Sequence, residues 1–362
     1  MINEKLLKQV AQQLLSGNRG ILAADESLGT IGKRFDSINL ENNHENRLAY
    51  RKLLFETPLL NKFISGVITF DETIREKLSD NSLLVSKLLD QDILVGIKID
   101  QGLEPISADT DETVMKDIPE LDSNLKQYRA LGASFSKFRA VCRIDSSKQY
   151  PSVDALTKNA KMLAKFALLC QQNDIVPIVE PEVLMDGDHS IEKSYDVTRQ
   201  FLLHTFDELN ELEVYLPGII IKTNMVRSGV SAENKADAGE IAKKTLGLVY
   251  EIFPREIPGV AFLSGGMSES QATESLSLIN ALDSKKEFFF SFSYGRALQS
   301  SCIKAWEGKS ENANLAQKVL FLRAQLNSVA CMGRYSSDME KAFEDYSSID
   351  SDTDLFESNY SY

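Results

Sequence analysis

Histidine is nearly missing from this chain. His44, His189 and His204 are the three among 362 residues, and they lie far apart with no His-x-His or His-x-x-x-His spacing. A catalytic metal centre built on imidazoles needs such spacing, so no metal is expected. Cysteine is sparse as well. Cys142, Cys170, Cys302 and Cys331 are scattered without a Cys-x-x-Cys pair, which argues against a zinc cluster or a disulfide scaffold. The pattern suits a reduced intracellular protein, cytoplasmic by expectation. No apolar run reaches the roughly 18 residues that a membrane span needs. At the amino end, Ile2, Leu6, Val10 and Leu14 recur at helical spacing among Lys and Glu, which is the pattern of an amphipathic helix and not of a signal peptide. Positive charge is also short, with 40 Lys and Arg against 53 Asp and Glu, a net charge of −13. A nucleic-acid partner would need a basic footprint, so none is expected. A small anionic substrate stays open, because a pocket can be locally positive on an acidic protein.

What the chain does have is a core and a rhythm. With 43% hydrophobic and 26% charged residues it has the composition of a globular protein with much to bury. Short apolar runs fall at residues 19–25, 64–70, 94–100, 135–141, 176–183, 218–226, 259–266 and 288–295. Helix-length segments separate them, at residues 45–55, 83–89, 153–173, 191–212, 235–252 and 268–282, with a further helix at 314–329. Ser190, Ser231 and Ser268 read as caps or first-turn signals for three of these. Strand and helix alternating eight times, with strands apolar throughout, predicts a single-domain (β/α)8 TIM barrel. Residues 1–334 form the expected barrel with its amino-terminal helix. Residues 335–362 are rich in Ser, Asp and Glu and poor in aliphatics, and read as a flexible tail.

In such a barrel, chemistry sits at the carboxyl ends of the strands. Lys222 lies in Gly218-Ile-Ile-Ile-Lys-Thr-Asn-Met-Val226, an apolar run where a charged ammonium must be paired, used or neutral. A neutral lysine is a nucleophile for carbonyl carbon. Asp25 ends the first run, and Lys98 and Asp100 end the third. Lys137 and Arg139 are two apart on the fourth run, as are Glu180 and Glu182 on the fifth and Lys222 and Asn224 on the sixth. Alternation points each pair to one face and turns Ser136 and Phe138 to the helices. So many charges inside one core are poorly explained by stability, which apolar packing serves better. The last two runs end in Ser264-Gly265-Gly266 and Gly295-Arg296, whose backbone N–H groups a phosphate could approach. Lys33, Arg34 and Lys98 form a second basic set, which suggests a substrate with phosphate at both ends.

These residues resemble class I fructose-1,6-bisphosphate aldolases, the Schiff-base type. The likeness is carried by Gly20-Ile-Leu-Ala-Ala-Asp-Glu-Ser27, Val179-Glu-Pro-Glu-Val183, Phe262-Leu-Ser-Gly-Gly266 and Phe292-Ser-Tyr-Gly-Arg-Ala-Leu-Gln299. The resemblance implies reversible cleavage of fructose 1,6-bisphosphate into dihydroxyacetone phosphate and glyceraldehyde 3-phosphate, in glycolysis and gluconeogenesis, without cofactor or metal. It makes Lys222 the Schiff-base nucleophile, Glu180 the proton carrier for dehydration, and Asp25 the base at the C4 hydroxyl. Lys137 and Glu182 set the charge balance, and Arg139 holds substrate. Ser264, Gly265, Gly295 and Arg296 bind the ketose-end phosphate; Ser27, Arg34 and Lys98 face the other end. Tyr362, the terminal residue, protonates the enamine. A homotetramer is likewise implied, and the one partner expected beyond it is the sugar phosphate.

The chain departs from the family pattern in four places. Phe138 stands for a Trp, Thr223 for a Pro, Gln101 for a Lys and Thr30 for a Ser. Thr223 restores a backbone donor beside the nucleophile, which bears on rate, and the last two bear on the far phosphate site. Two other readings are open at this level: a Schiff-base aldolase or transaldolase acting on another sugar phosphate, and a barrel serving as a non-catalytic scaffold.

Overall fold

The computed structural model describes residues 2–343 and 352–358. Tyr362 lies outside the described residues. Eight parallel strands close into a barrel: β1 (Gly20–Ala24), β2 (Ile64–Thr69), β3 (Leu94–Lys98), β4 (Ala133–Cys142), β5 (Val176–Val183), β6 (Ile220–Asn224), β7 (Gly259–Leu263) and β8 (Phe289–Tyr294). Each pairs with its neighbour in sequence, and β1 meets β8 through Ile21 opposite Ser293. The strands are buried on both faces because helices cover the outside while the inside packs on itself.

The longer helices are α1 (Glu4–Leu15), α2 (Leu28–Asp36), α3 (His44–Phe55), α4 (Leu121–Ala130), α5 (Val153–Gln172), α6 (Ile191–Glu211), α7 (Ala238–Ile252), α8 (Glu269–Leu282), α9 (Arg296–Trp306) and α10 (Ala313–Cys331). Ser190 caps α6 and Ser268 caps α8, each hydroxyl accepting an N–H three residues on. The cap of α7 is Asp237 and not Ser231; the Asp237 carboxylate accepts the Glu240 N–H at 2.8 Å. Ser231 is drawn elsewhere, its N–H donating to the Gly187 carbonyl at 2.9 Å. The helix expected at residues 83–89 shrinks to one turn, Ser86–Leu89. Helices α2, α4 and α9, and a hairpin pairing Leu103–Pro105 with Thr113–Met115, were not expected from the sequence. Among the described residues no helix is long and apolar enough to cross a membrane.

Alternation divides the barrel interior into two storeys. Toward the amino ends of the strands, Ile21, Ile68, Phe135, Ile178, Ile220 and Ala261 form an apolar floor, closed from below by Leu7, Val10 and Leu14 of α1. Glycine is needed here at Gly96, where a Cβ would come within 2.2 Å of the Phe135 ring. Two residues further along the same faces the side chains turn polar: Ala23 gives way to Asp25, Phe135 to Lys137, Ile178 to Glu180 and Ile220 to Lys222. The outward face behaves as alternation requires. The Phe138 ring meets Phe166 of α5 with centroids 5.7 Å apart, and the Ser136 Oγ lies 3.1 Å from the Cys170 Sγ of the same helix.

Candidate active site

The upper storey is a buried ion cluster. Lys222 Nζ lies 3.1 Å from Glu180 Oε1. Lys137 Nζ lies 2.8 Å from Asp25 Oδ2 and 3.3 Å from Glu180 Oε2. All four side chains are at most 1% exposed. Glu180 therefore lies between two lysine nitrogens, and Lys137 between two carboxyl groups. Beside them Arg139 donates through Nε to Glu182. Register places Lys137 opposite Ile178 and Arg139 opposite Glu180, so each cation reaches the carboxyl group two residues further along β5, and β6 follows β5 around the barrel.

Burial opposes ionisation of Asp25, but Lys137, Lys222 and Lys98 more than offset it and hold its carboxyl below the ordinary value. The same burial disfavours the charged form of Lys137. Asp25 and Glu180 outweigh it, so Lys137 stays firmly protonated. Asp25 is thus an ionised carboxylate in a dry site, the state a proton acceptor needs.

An open cleft of about 330 Å³ adjoins the cluster, lined by Glu180, Lys222, Ser264, Gly265, Gly295 and Arg296 among others. Ser264–Gly266 leads into α8, and Gly295 is the cap of α9. The cleft thus lies beside two helix N-termini, where free N–H groups and the helix dipoles favour an anion. Gly265 and Gly266 have φ of +55° and +79°, a backbone state that glycine adopts without the penalty of a Cβ. Lys33 and Arg34 share a neighbouring cleft with Arg296. Lys98 lies 2.8 Å from Asp100 and within electrostatic reach of Asp25. Ser27 caps α2 by accepting the Thr30 N–H. Asn224 points away from Lys222, accepting the Val183 N–H and donating to Thr198 of α6.

Part of the tail crosses this rim. Leu355 N–H donates to the Gly266 carbonyl at 3.0 Å. Arg296 donates to the Leu355 carbonyl, and Glu357 lies 3.8 Å from its guanidinium.

Two side chains of the site carry no sequence signal that singled them out. Ser293 lines the cleft, is buried, and its Oγ has no hydrogen-bond partner among the described residues. Its place two residues before Gly295 on β8 is the signal that could have found it. Glu26 is buried between Arg34 (3.1 Å), Arg51 (2.7 Å) and Gln299 (2.9 Å), and so orients Arg34 toward the rim. Among the described residues no group of three His, Cys, Asp or Glu side chains is arranged to hold a metal ion.

Comparison with known proteins shows the family and the fold. The family profile described as fructose-bisphosphate aldolase class-I matches residues 6–362. A fructose-bisphosphate aldolase of Dictyostelium discoideum is 44% identical over 329 residues, covering 91% of this chain and 92% of that one. Fructose-bisphosphate aldolase B of Gallus gallus is 43% identical, covering 92% and 91%. A cytosolic aldolase of Arabidopsis thaliana is 45% identical, covering 89% and 81%. Among solved structures, fructose-bisphosphate aldolase from Plasmodium falciparum, crystallised with TRAP and a small-molecule inhibitor, superposes with a TM-score of 0.90 at 43% identity. That match covers 92% of this chain and 96% of the other.

Proposed function

Since the chain belongs to the class-I fructose-bisphosphate aldolase family, and is thereby a carbon–carbon lyase, we propose that its buried cluster runs the Schiff-base cycle as follows. Lys222 attacks the C2 ketone of open-chain fructose 1,6-bisphosphate. Glu180, 3.1 Å from the attacking nitrogen, carries the proton that lets the carbinolamine hydroxyl leave as water. The resulting iminium is the electron sink. Asp25 takes the C4 hydroxyl proton, the C3–C4 bond breaks, and its electron pair moves into the iminium to give an enamine as glyceraldehyde 3-phosphate departs. Tyr362 protonates the enamine at C3, and water hydrolyses the iminium to release dihydroxyacetone phosphate. Lys137 keeps Asp25 ionised, and Arg139 with Glu182 holds substrate and charge balance. Ser264, Gly265, Gly295 and Arg296 take the ketose-end phosphate. Ser27, Arg34 and Lys98 take the other, with Lys98 exchanging its Asp100 partner.

The observation that carries this reading is the contact of Glu180 with both buried lysines, a proton path leading to a lysine in a dry pocket. The test is a coupled assay of triose phosphate formation in the presence of a chelator. Cleavage of fructose 1,6-bisphosphate is expected to continue unchanged. Fructose 1-phosphate should be cleaved with kcat/KM lower by at least about tenfold, for want of its charge-assisted hydrogen bonds at the second phosphate. Equal efficiency on the two sugars would favour a single-phosphate substrate, and inhibition by the chelator would point to a metal-dependent reaction.

Deleting Tyr362 is expected to slow turnover about a hundredfold, a typical loss for one positioned proton donor. Borohydride should still trap a triose on the enzyme at the unmodified rate. Full turnover without Tyr362 would assign the proton to another group. A barrel through residue 334 followed by an arm is the division this step needs. The four free thiols and the cytosolic relative support a cytoplasmic setting. A homotetramer, carried from the resemblance, is open to light scattering.

A further inference from the structure

Arg227 lies three residues past β6, in a stretch of the chain with no motif of its own. Its loop is fastened to the loop after β5 by three backbone bonds. Gly229 N–H donates to His189, Val230 to Met185 and Ser231 to Gly187, each at 2.9 Å. On this braced backbone the half-buried Arg227 side chain reaches the next loop along, where Nη1 donates to the Gly265 carbonyl at 3.4 Å. Burial draws its guanidinium below the ordinary arginine value, opposed by the field of Asp354 on the tail.

Gly265 and Gly266 both have positive φ. The turn is closed by the Met267 N–H donating to the Ser264 carbonyl at 3.0 Å, but glycine at both positions leaves the peptide between them free to take other orientations at little cost. A trans peptide sets its carbonyl and its N–H on opposite edges of one plane. Holding the Gly265 carbonyl toward Arg227 therefore turns the Gly266 N–H away from it. Arg227 is not among the residues lining the cleft that Gly265, Ser264 and Arg296 enclose, so its contact with the Gly265 carbonyl reaches the cleft only through the loop. A donor pre-aimed at an anion costs no reorganisation when the anion arrives, and a loose one does.

We propose that Arg227 is a positioning residue for phosphate: it pins the Gly265–Gly266 peptide so that the loop after β7 presents its backbone donors to a phosphate monoester. It acts through the loop and does not touch the reacting atoms. The inference deepens the aldolase reading and rests on it for the identity of the bound ester.

The experiment compares the full-length enzyme with its Arg227→Ala and Arg227→Lys variants. Three quantities are read: affinity for inorganic phosphate by calorimetry, steady-state kinetics on fructose 1,6-bisphosphate, and borohydride trapping at saturating dihydroxyacetone phosphate. In Arg227→Ala, the dissociation constant for phosphate and KM are both expected to rise about tenfold, the loss of one charge-assisted bond, with kcat within about twofold. Arg227→Lys, which keeps a donor, should recover most of the affinity. Phosphate affinity equal to wild type in Arg227→Ala overturns the proposal. So does a fall in kcat at unchanged affinity, which would assign Arg227 to the tail through Asp354. Trapping on the wild-type enzyme reports separately on the aldolase reading: its failure alongside a tenfold phosphate effect removes the Schiff base and leaves the loop assignment standing.

Discussion

Lys222→Met is expected to abolish aldol cleavage, lowering turnover on the order of 10⁵-fold or more, as loss of a covalent nucleophile does. Methionine is close to lysine in volume and ends in no amine, so the pocket stays filled while the nucleophile is gone. Wild-type enzyme treated with borohydride and dihydroxyacetone phosphate should gain one covalent triose, and peptide mass spectrometry should locate it on Lys222. The variant should gain none. The fold should survive, because Glu180 keeps Lys137 at 3.3 Å and the change leaves no void. A denaturation midpoint near wild type, set beside absent turnover, separates loss of chemistry from loss of structure. An adduct on another lysine, or residual turnover within a hundredfold of wild type, would remove Lys222 from its role.

Asp25→Asn should lower cleavage about a thousandfold, the middle of the range for a positioned general base. Trapping of dihydroxyacetone phosphate should persist, because Lys222 and Glu180 are untouched. The separation is diagnostic: if trapping and cleavage fall together, Asp25 shapes the pocket and does not take the C4 proton. The substitution also strips Lys137 of the first of its two carboxylate partners. Breaking a buried pair from one side typically costs about 3 kcal/mol or more, so chemical denaturation should show a loss of that order. The pH dependence has a definite sign. Asp25 is held below its ordinary value of 3.8, so the folded state binds its proton less readily than the unfolded chain. The stability this gives is present above that value and disappears as pH falls through the depressed one. Acid unfolding of Asp25→Asn should accordingly be less steep than that of wild type, a comparison that circular dichroism can make.

Much of the site was legible because a barrel turns sequence spacing into position. Lys137 and Arg139, two apart, fall on one face, and Phe138 between them falls against Phe166. The apolar run around Lys222 marked a strand, and the eight runs counted the barrel. Spacing could not reveal contacts between distant elements. Lys33 and Arg34 sit on α2, whose Gly29 and Gly32 weaken any helical signal, so their placement beside Arg296 was hidden. The Asp237 cap went unread because Ser231 offered an equally good local pattern, and what rules Ser231 out is that the helix begins only at Ala238, with the Asp237 carboxylate accepting the Glu240 N–H. Arg227 had no pattern at all; its meaning comes from a carbonyl 38 residues away in sequence.

The helix beneath the barrel floor has a consequence for traffic. Because Leu7, Val10 and Leu14 stopper one end, substrate, both products and the water that frees the second triose pass, among the described residues, by the opposite end of the barrel. The segment around Leu355 and Glu357 stands at that end. The two ends of the chain are therefore unequal as handles. A tether attached ahead of α1 hangs from the sealed side, whereas a label placed near Leu355 stands beside the cleft.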